Sequence, residues 1–211
     1  TSANRLATQL RVLGQDPKML SLDNYYLDRD AIPADKNGQK DLEHINTLDI
    51  PRFSSDLAAL MRGEQVEVPV FDFLTGKRAK EGIVMQLHPD EPLIIEGIHA
   101  LNPMLLNDDI DRDKLFRVYV SALTTLNIDD HNRIHTTDYE TRGASMEHTL
   151  SMWPSVRRGE EKWIFPYQEN ADALFNTTLV YEVSVLKKYV YPLLQEVPKE
   201  SPCYAAARDI T

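Results

Sequence analysis

Two short apolar runs in this 211-residue chain each end in a carboxylate. Lys18-Met-Leu-Ser-Leu22 leads into Asp23, and Pro92-Leu-Ile-Ile95 leads into Glu96, with Gly97 directly after it. In an open parallel sheet, ligands gather outside the carboxyl ends of the strands, so both acids are expected to face one crevice. Phosphoryl transfer uses such a pair. One carboxylate holds Mg²⁺, directly or through water, and one accepts the proton of the attacking hydroxyl. The competing reading is that each acid simply caps the helix that follows it. A lone strand-end acid favours the cap; two such strands bring the readings level.

A basic set follows: Arg133, Arg142, Arg157, Arg158 and Lys162, with Arg142-Gly143 and Arg157-Arg158-Gly159 beside flexible glycines. Arginines in a mobile segment can close over a polyphosphate and neutralise its oxygens. Alternatively they form a solvated face in local ion pairs, since Glu160 and Glu161 adjoin. His131 and His135 have a spacing that chelates zinc on a helix, but no HExxH pattern is present and Cys203 offers no companion. A surface or lid role is expected for them. His99 and Asn102 follow the Glu96 strand, placed either to reach a ligand or to satisfy a turn. Tyr25, Tyr26, Phe71 and Phe73 are suited to stacking on a base or sugar, or to filling the core. Trp153 and Trp163 are assigned to packing.

The elements that must position these residues alternate in type. Ser2 to Leu13 carries Ala3, Leu6, Ala7 and Leu10 at helical spacing and stops at Gly14. Residues 28–41 are polar and read as a loop. Ile50 to Arg62 predicts a helix with Pro51 in its first turn, Phe53, Leu57, Leu60 and Met61 on one face, and Gly63 as its stop. Val66 to Phe73 and Ile83 to Leu87 predict a hairpin turning at Gly76. Phe116 to Ser121 and Ala171 to Val180 read as strands, and residues 127–143 as irregular. Met146 to Trp153 and Tyr181 to Gln195 predict helices, the latter with Val185, Leu186, Tyr189 and Leu193 inward. The pattern is α/β: a parallel sheet covered by helices on both faces, in one domain with a hairpin appendage at 66–87 and a lid region at 127–162.

Composition narrows the partners. A net charge of −10 repels phosphate backbones, which argues against general nucleic-acid binding. No run of eighteen apolar residues suits a membrane span, and no signal pattern opens the chain. A single cysteine points to a reducing cytoplasm. The expected partner is a small molecule, with a homo-oligomer left open.

Ser21-Leu-Asp-Asn-Tyr-Tyr26 resembles the matching segment of the uridine kinase and phosphoribulokinase family of P-loop kinases. Gly63-Glu-Gln-Val-Glu-Val-Pro-Val-Phe-Asp-Phe73, Ile94-Ile-Glu-Gly-Ile-His-Ala-Leu101 and Tyr139-Glu-Thr-Arg-Gly143 agree with it in order. Trp153-Pro-Ser-Val-Arg-Arg-Gly-Glu-Glu161 and Phe165-Pro-Tyr-Gln-Glu-Asn-Ala-Asp172 are similar to bacterial uridine kinase-like nucleoside kinases. The resemblance covers nearly the whole chain. It implies a P-loop kinase fold, ATP and Mg²⁺ as cofactors, Asp23 as general base and magnesium neighbour, and Glu96 as magnesium support. It also implies that Arg142, Arg133, Arg157 and Arg158 bind phosphate charge, and that Tyr26, Asn46, Phe71, Phe73 and His99 line the acceptor pocket.

In that family a glycine-rich phosphate loop leads directly into a helix like Ser2–Leu13, so Thr1 is expected at or just past its end, beside the phosphates. An Arg-rich lid helix precedes the family's counterpart of Tyr139–Gly143, whereas here Asp138 runs straight into Tyr139, and a lid segment is expected to be missing there. Three substrate positions depart from the uridine–cytidine kinase pattern. Gly76 stands where a His is usual, His44-Ile-Asn-Thr47 replaces His-Pro-Asp-Ala, and Ala144 replaces an Arg. The leading expectation is a kinase acting on a nucleoside. A phosphosugar kinase of the phosphoribulokinase type and a non-catalytic nucleotide-binding regulatory module are the alternatives.

Overall fold

The helical spacing from Ala3 to Leu10 is realised as α1 (Ser2–Val12), with Ala7 fully buried and Leu6 turned largely to solvent. A computed structural model describes residues 2–32, 40–107, 110–121, 145–178 and 182–210. β1 (Lys18–Ser21) stops one residue before the apolar run does. The reason is local: the Ser21 hydroxyl accepts the Asp23 N–H at 3.3 Å, and Leu22–Tyr25 coil into a 3₁₀ turn.

α2 (Ile50–Met61) starts on Asp49, whose carboxylate accepts the Arg52 N–H at 3.2 Å, with Pro51 in the first turn as expected. Its Phe53, Leu57 and Leu60 are buried, while Met61 at the last position is exposed. The hairpin is built from β2 (Val66–Val68), β3 (Phe71–Asp72), β4 (Lys77–Arg78) and β5 (Ile83–Met85). β2 pairs antiparallel with β5, and β3 with β4, with Phe71 opposite Arg78. Val66 and Val68 are buried and Glu67 between them is exposed, the two-residue period of a half-covered strand. β6 (Leu93–Glu96) lies parallel to β1. β7 (Val118–Ser121) pairs with β8 (Ala173–Asn176).

The architecture is therefore α/β, with parallel pairing between β1 and β6 and the hairpin as a separate antiparallel element. The chain divides into two compact units, Thr1–Tyr119 with Gly159–Leu174, and Val120–Arg158 with Phe175–Thr211. The core of the first gathers Leu20, Leu22, Tyr25, Phe53, Leu57 and Leu60 with the hairpin valines. In the second, α3 (Met146–Gly159), α4 (Glu182–Gln195) and α5 (Tyr204–Ile210) contribute Met146, Leu150, Val190, Leu194 and Ala207, joined by Val197.

Two helices differ from expectation. α3 continues through Pro154 to Gly159, beyond the predicted end at Trp153, and Glu160–Ile164 follow as a π-helical turn. On α4, Tyr189 is 59% exposed while Val190 and Leu194 are buried, so Tyr189 does not face inward as predicted, whereas Leu193 is partly buried against the same core. Residues 127–143, read as irregular, lie outside the described residues. No described helix is long and apolar enough to cross a membrane.

Candidate active site

Parallel pairing sets the carboxyl ends of the two strands side by side. Lys18 aligns with Leu93, Leu20 with Ile95, and Ser21 with Glu96, on neighbouring strands about 4.8 Å apart. Glu96 is thus the last residue of its strand, and Asp23 sits just beyond the end of the adjacent one, in the first turn of the 3₁₀ segment. Gly97 makes this close approach possible. Its φ of +145° suits glycine, and a Cβ there would stand 2.7 Å from the Leu22 Cβ. Both acids are half-buried. The register brings the ends of the two strands that lead into these acids next to each other.

The far end of the Asp23 turn is held from two directions. Tyr25 is buried, and its hydroxyl donates to Asp56 at 3.1 Å; Arg52 Nε donates to both oxygens of the same carboxylate at 2.8 Å. Burial, then the adjacent Asp56 charge, pushes the Tyr25 phenol well above its usual range, so it stays protonated. From the hairpin, Arg78 donates to the carbonyls of Tyr25 and Tyr26 and to Asp49 Oδ2, each at 2.9 Å. Its backbone N–H donates to Asp28 Oδ1 at 2.8 Å. None of Arg52, Asp56, Asp49 or Arg78 was picked out from the residue string as a site residue. The Asp before Ile50-Pro51 and the i,i+4 spacing of Arg52 and Asp56 were the signals available.

Beside this turn, Tyr26, Phe71 and Phe73 form an aromatic group, with centroids 5.7, 6.3 and 5.2 Å apart in pairs and inclined ring planes. Phe71 is buried, Tyr26 and Phe73 only partly so. The Phe71 N–H donates to Asn24 Oδ1 at 3.3 Å, a further tie between hairpin and turn. Asn46 is exposed in a 3₁₀ turn capped by His44, whose Nδ1 accepts the Asn46 N–H at 3.0 Å. The His44 ring lies 4.4 Å from that of Trp163, so Trp163 packs as predicted.

His99 is 1% exposed, and neither of its ring nitrogens has a hydrogen-bond partner. Burial pushes its imidazole down to about 4; the nearby Glu43 carbonyl opposes this without a well-aligned hydrogen bond, and His44 adds to the lowering. Below pH 6.5 the unfolded chain takes up a proton that the folded chain refuses until about pH 4. Stability is therefore expected to fall as pH drops through that window, by up to about 3 kcal/mol from this group. Urea unfolding at pH 7 and pH 4.5 checks it. His99→Gln should flatten the difference, and an unchanged pH dependence in the variant would reject the assignment.

Among the other predicted site residues, Arg157 and Arg158 lie exposed in the last turn of α3, assigned with it to the second unit. Thr1, Arg133 and Arg142, and the His131/His135 pair, lie outside the described residues. A cleft of about 480 Å³ runs along α2, lined by Ile50, Ser54, Ala58, Arg62, Met104 and Leu106. It is lined by no carboxylate or histidine and by none of the predicted site residues.

Residues 6–184 match the model of the "Phosphoribulokinase / Uridine kinase family". The uridine kinase of Chlamydia pneumoniae is 29% identical over 167 residues, spanning 77% of this chain and 70% of that protein. A uridine kinase of Staphylococcus epidermidis is 30% identical over 162 residues, spanning 76% and 74%. Among solved structures, a possible uridine kinase from Bacillus stearothermophilus superposes with a TM-score of 0.53 at 18% identity, covering 82% of this chain and 79% of that one. That last likeness concerns the fold.

Proposed function

The chain belongs to the phosphoribulokinase/uridine kinase family of small-molecule kinases, and from that premise we propose that it transfers the γ-phosphoryl group of ATP to a hydroxyl of a nucleoside. The observation that carries this reading is the β1/β6 register, with Ser21 opposite Glu96 and Asp23 on the next turn. Asp23 takes the hydroxyl proton as the hydroxyl oxygen bonds to the γ-phosphorus. The bond from phosphorus to the bridging oxygen breaks, and ADP leaves.

Asp23 and Glu96 are the hard oxygen donors suited to Mg²⁺, which commonly uses one or two carboxylates and completes its shell with water and phosphate. Magnesium, when bound, offsets the negative charge of the phosphate oxygens. Thr1, Arg133, Arg142, Arg157 and Arg158 are assigned to the phosphates, the arginines because a planar guanidinium pairs two phosphate oxygens at once. Tyr26, Phe71, Phe73 and Asn46 are assigned to the acceptor, where an aromatic group beside the base can orient a sugar or ring by stacking; His99, 1% exposed, is too buried to reach it. The uridine kinases among the relatives support a nucleoside acceptor.

One observation favours a second reading, a sugar phosphate as acceptor. At Gly76 the stem of Arg29 occupies the space of a side chain, its Cδ 2.5 Å from where a Cβ would stand. This puts a cationic residue at the hairpin turn, where an acceptor bearing its own phosphate would gain. A coupled ADP-release assay on the full-length protein, across nucleosides and pentose phosphates, separates the two. Turnover is expected with one or more nucleosides at a kcat/KM at least about tenfold above any pentose phosphate. The reverse order assigns the second reading, and no ADP release from either panel rejects both.

A further inference from the structure

We infer that Arg78 is a positioning residue that locks the acceptor-binding hairpin to the turn carrying Asp23, so that base and acceptor are held as one body. This rests on Asp23 being the base of the proposed reaction. The observation is the distribution of Arg78's bonds. Its guanidinium reaches three groups on two other elements: the Tyr25 carbonyl, the Tyr26 carbonyl and the Asp49 carboxylate, each at 2.9 Å. Tyr25 and Tyr26 close the turn that Asp23 opens, and Asp49 caps α2.

The Tyr25 carbonyl also accepts the Asp49 N–H at 2.8 Å, so Arg78 completes a closed ring of bonds between turn, helix cap and hairpin. Its side chain is only 27% exposed, and that of Asp49 26%, which shields the pair from screening. Opposite Arg78 across the β3/β4 ladder stands Phe71, a member of the aromatic group. The hairpin's apolar anchorage is Val66, Val68 and Phe71, while its return strand leaves Ile83 and Val84 exposed. To that burial the guanidinium adds directional bonds from β4. A planar fork can serve two carbonyls and a carboxylate together, whereas the single ammonium of lysine cannot hold all three geometries.

The test uses the full chain and two variants, Arg78→Ala and Arg78→Lys, read by steady-state kinetics and amide hydrogen exchange. For the acceptor, kcat/KM should fall about 10- to 100-fold in both variants while the KM for ATP stays within about twofold. Exchange of the Asp49 and Leu27 amides, which donate to Tyr25 and Thr47 carbonyls, should accelerate about tenfold. The Lys18 and Arg62 amides, bonded to Pro92 and Ala58 carbonyls, should keep their protection. A merely structural role predicts the opposite: protection lost uniformly, and Arg78→Lys restoring both stability and acceptor kinetics. Either that pattern or unchanged local exchange overturns the inference. Arg78→Lys keeps the charge beside Asp49, so it folds if the alanine variant does not. The exchange arm needs no turnover. Local acceleration in a protein inactive on every acceptor would therefore count against the reaction assigned, not against the lock.

Discussion

Asp23→Asn is expected to cut turnover by between about 10²- and 10⁴-fold, the range for removing a positioned general base. The amide is nearly isosteric, so the turn it sits in should survive. Ser21 Oγ accepts from the backbone N–H of residue 23, a bond indifferent to the side chain. What is lost is the proton acceptor, together with a negative charge suited to Mg²⁺. Since the phosphates are assigned to other residues, nucleotide binding should persist, with the KM or Kd for ATP shifted far less than kcat. Steady-state kinetics with a nucleotide-binding titration checks both halves. Turnover within tenfold of the parent protein would remove Asp23 from the base role.

The second large effect is expected at Gly97→Ala, and it acts through the fold. At a φ of +145° a Cβ is strained wherever it points, at about 1–3 kcal/mol. Here it also points into Leu22, at 2.7 Å from Cβ, 3.2 Å from Cγ and 3.1 Å from Cδ1. Leu22 is 2% exposed within the main core, so overpacking adds about 1–3 kcal/mol. The sum, about 2–6 kcal/mol, would unfold a large fraction of a marginally stable domain. Gly14→Ala is the internal control. Its φ of +84° carries backbone strain, but nothing lies within 4 Å of the added Cβ. Urea midpoints for the two variants should differ by the contact with Leu22. Equal midpoints would mean that β6 does not press against Leu22 as described.

The two strand-end acids were legible in the residue string as apolar runs ending in carboxylates, one of them followed by Gly97, but the string alone left the site and helix-cap readings level. The cap of α2 and the hairpin were legible for similar reasons, since Asp49-Ile-Pro51 and the alternation of Val66 and Val68 are local signals. The register of β1 on β6 was not, because it depends on pairing between distant segments rather than on either strand. Arg78 was opaque for a sharper reason. Two of its three side-chain partners are backbone carbonyls, more than fifty positions away, and any residue type would present them. Asp56 could be seen as an ordinary i,i+4 partner of Arg52, but its second partner, the Tyr25 hydroxyl, lies 31 positions earlier. On α4 the periodicity was visible but not the choice between neighbours: Tyr189 and Val190 both suit an apolar stripe, and packing chose Val190.

The alignment of Lys18 with Leu93 has a kinetic side as well. Strands that are neighbours in space but 75 positions apart in the chain can pair only after a long loop has closed. The intervening α2 and the hairpin are built from local contacts and can form earlier at little entropic cost. Asp23 and Glu96 would then meet late, when most of the first unit is already in place. A nascent or partly unfolded chain would carry both acids with no shared place to put an ion. Competence for the reaction would arrive together with native topology, in one step.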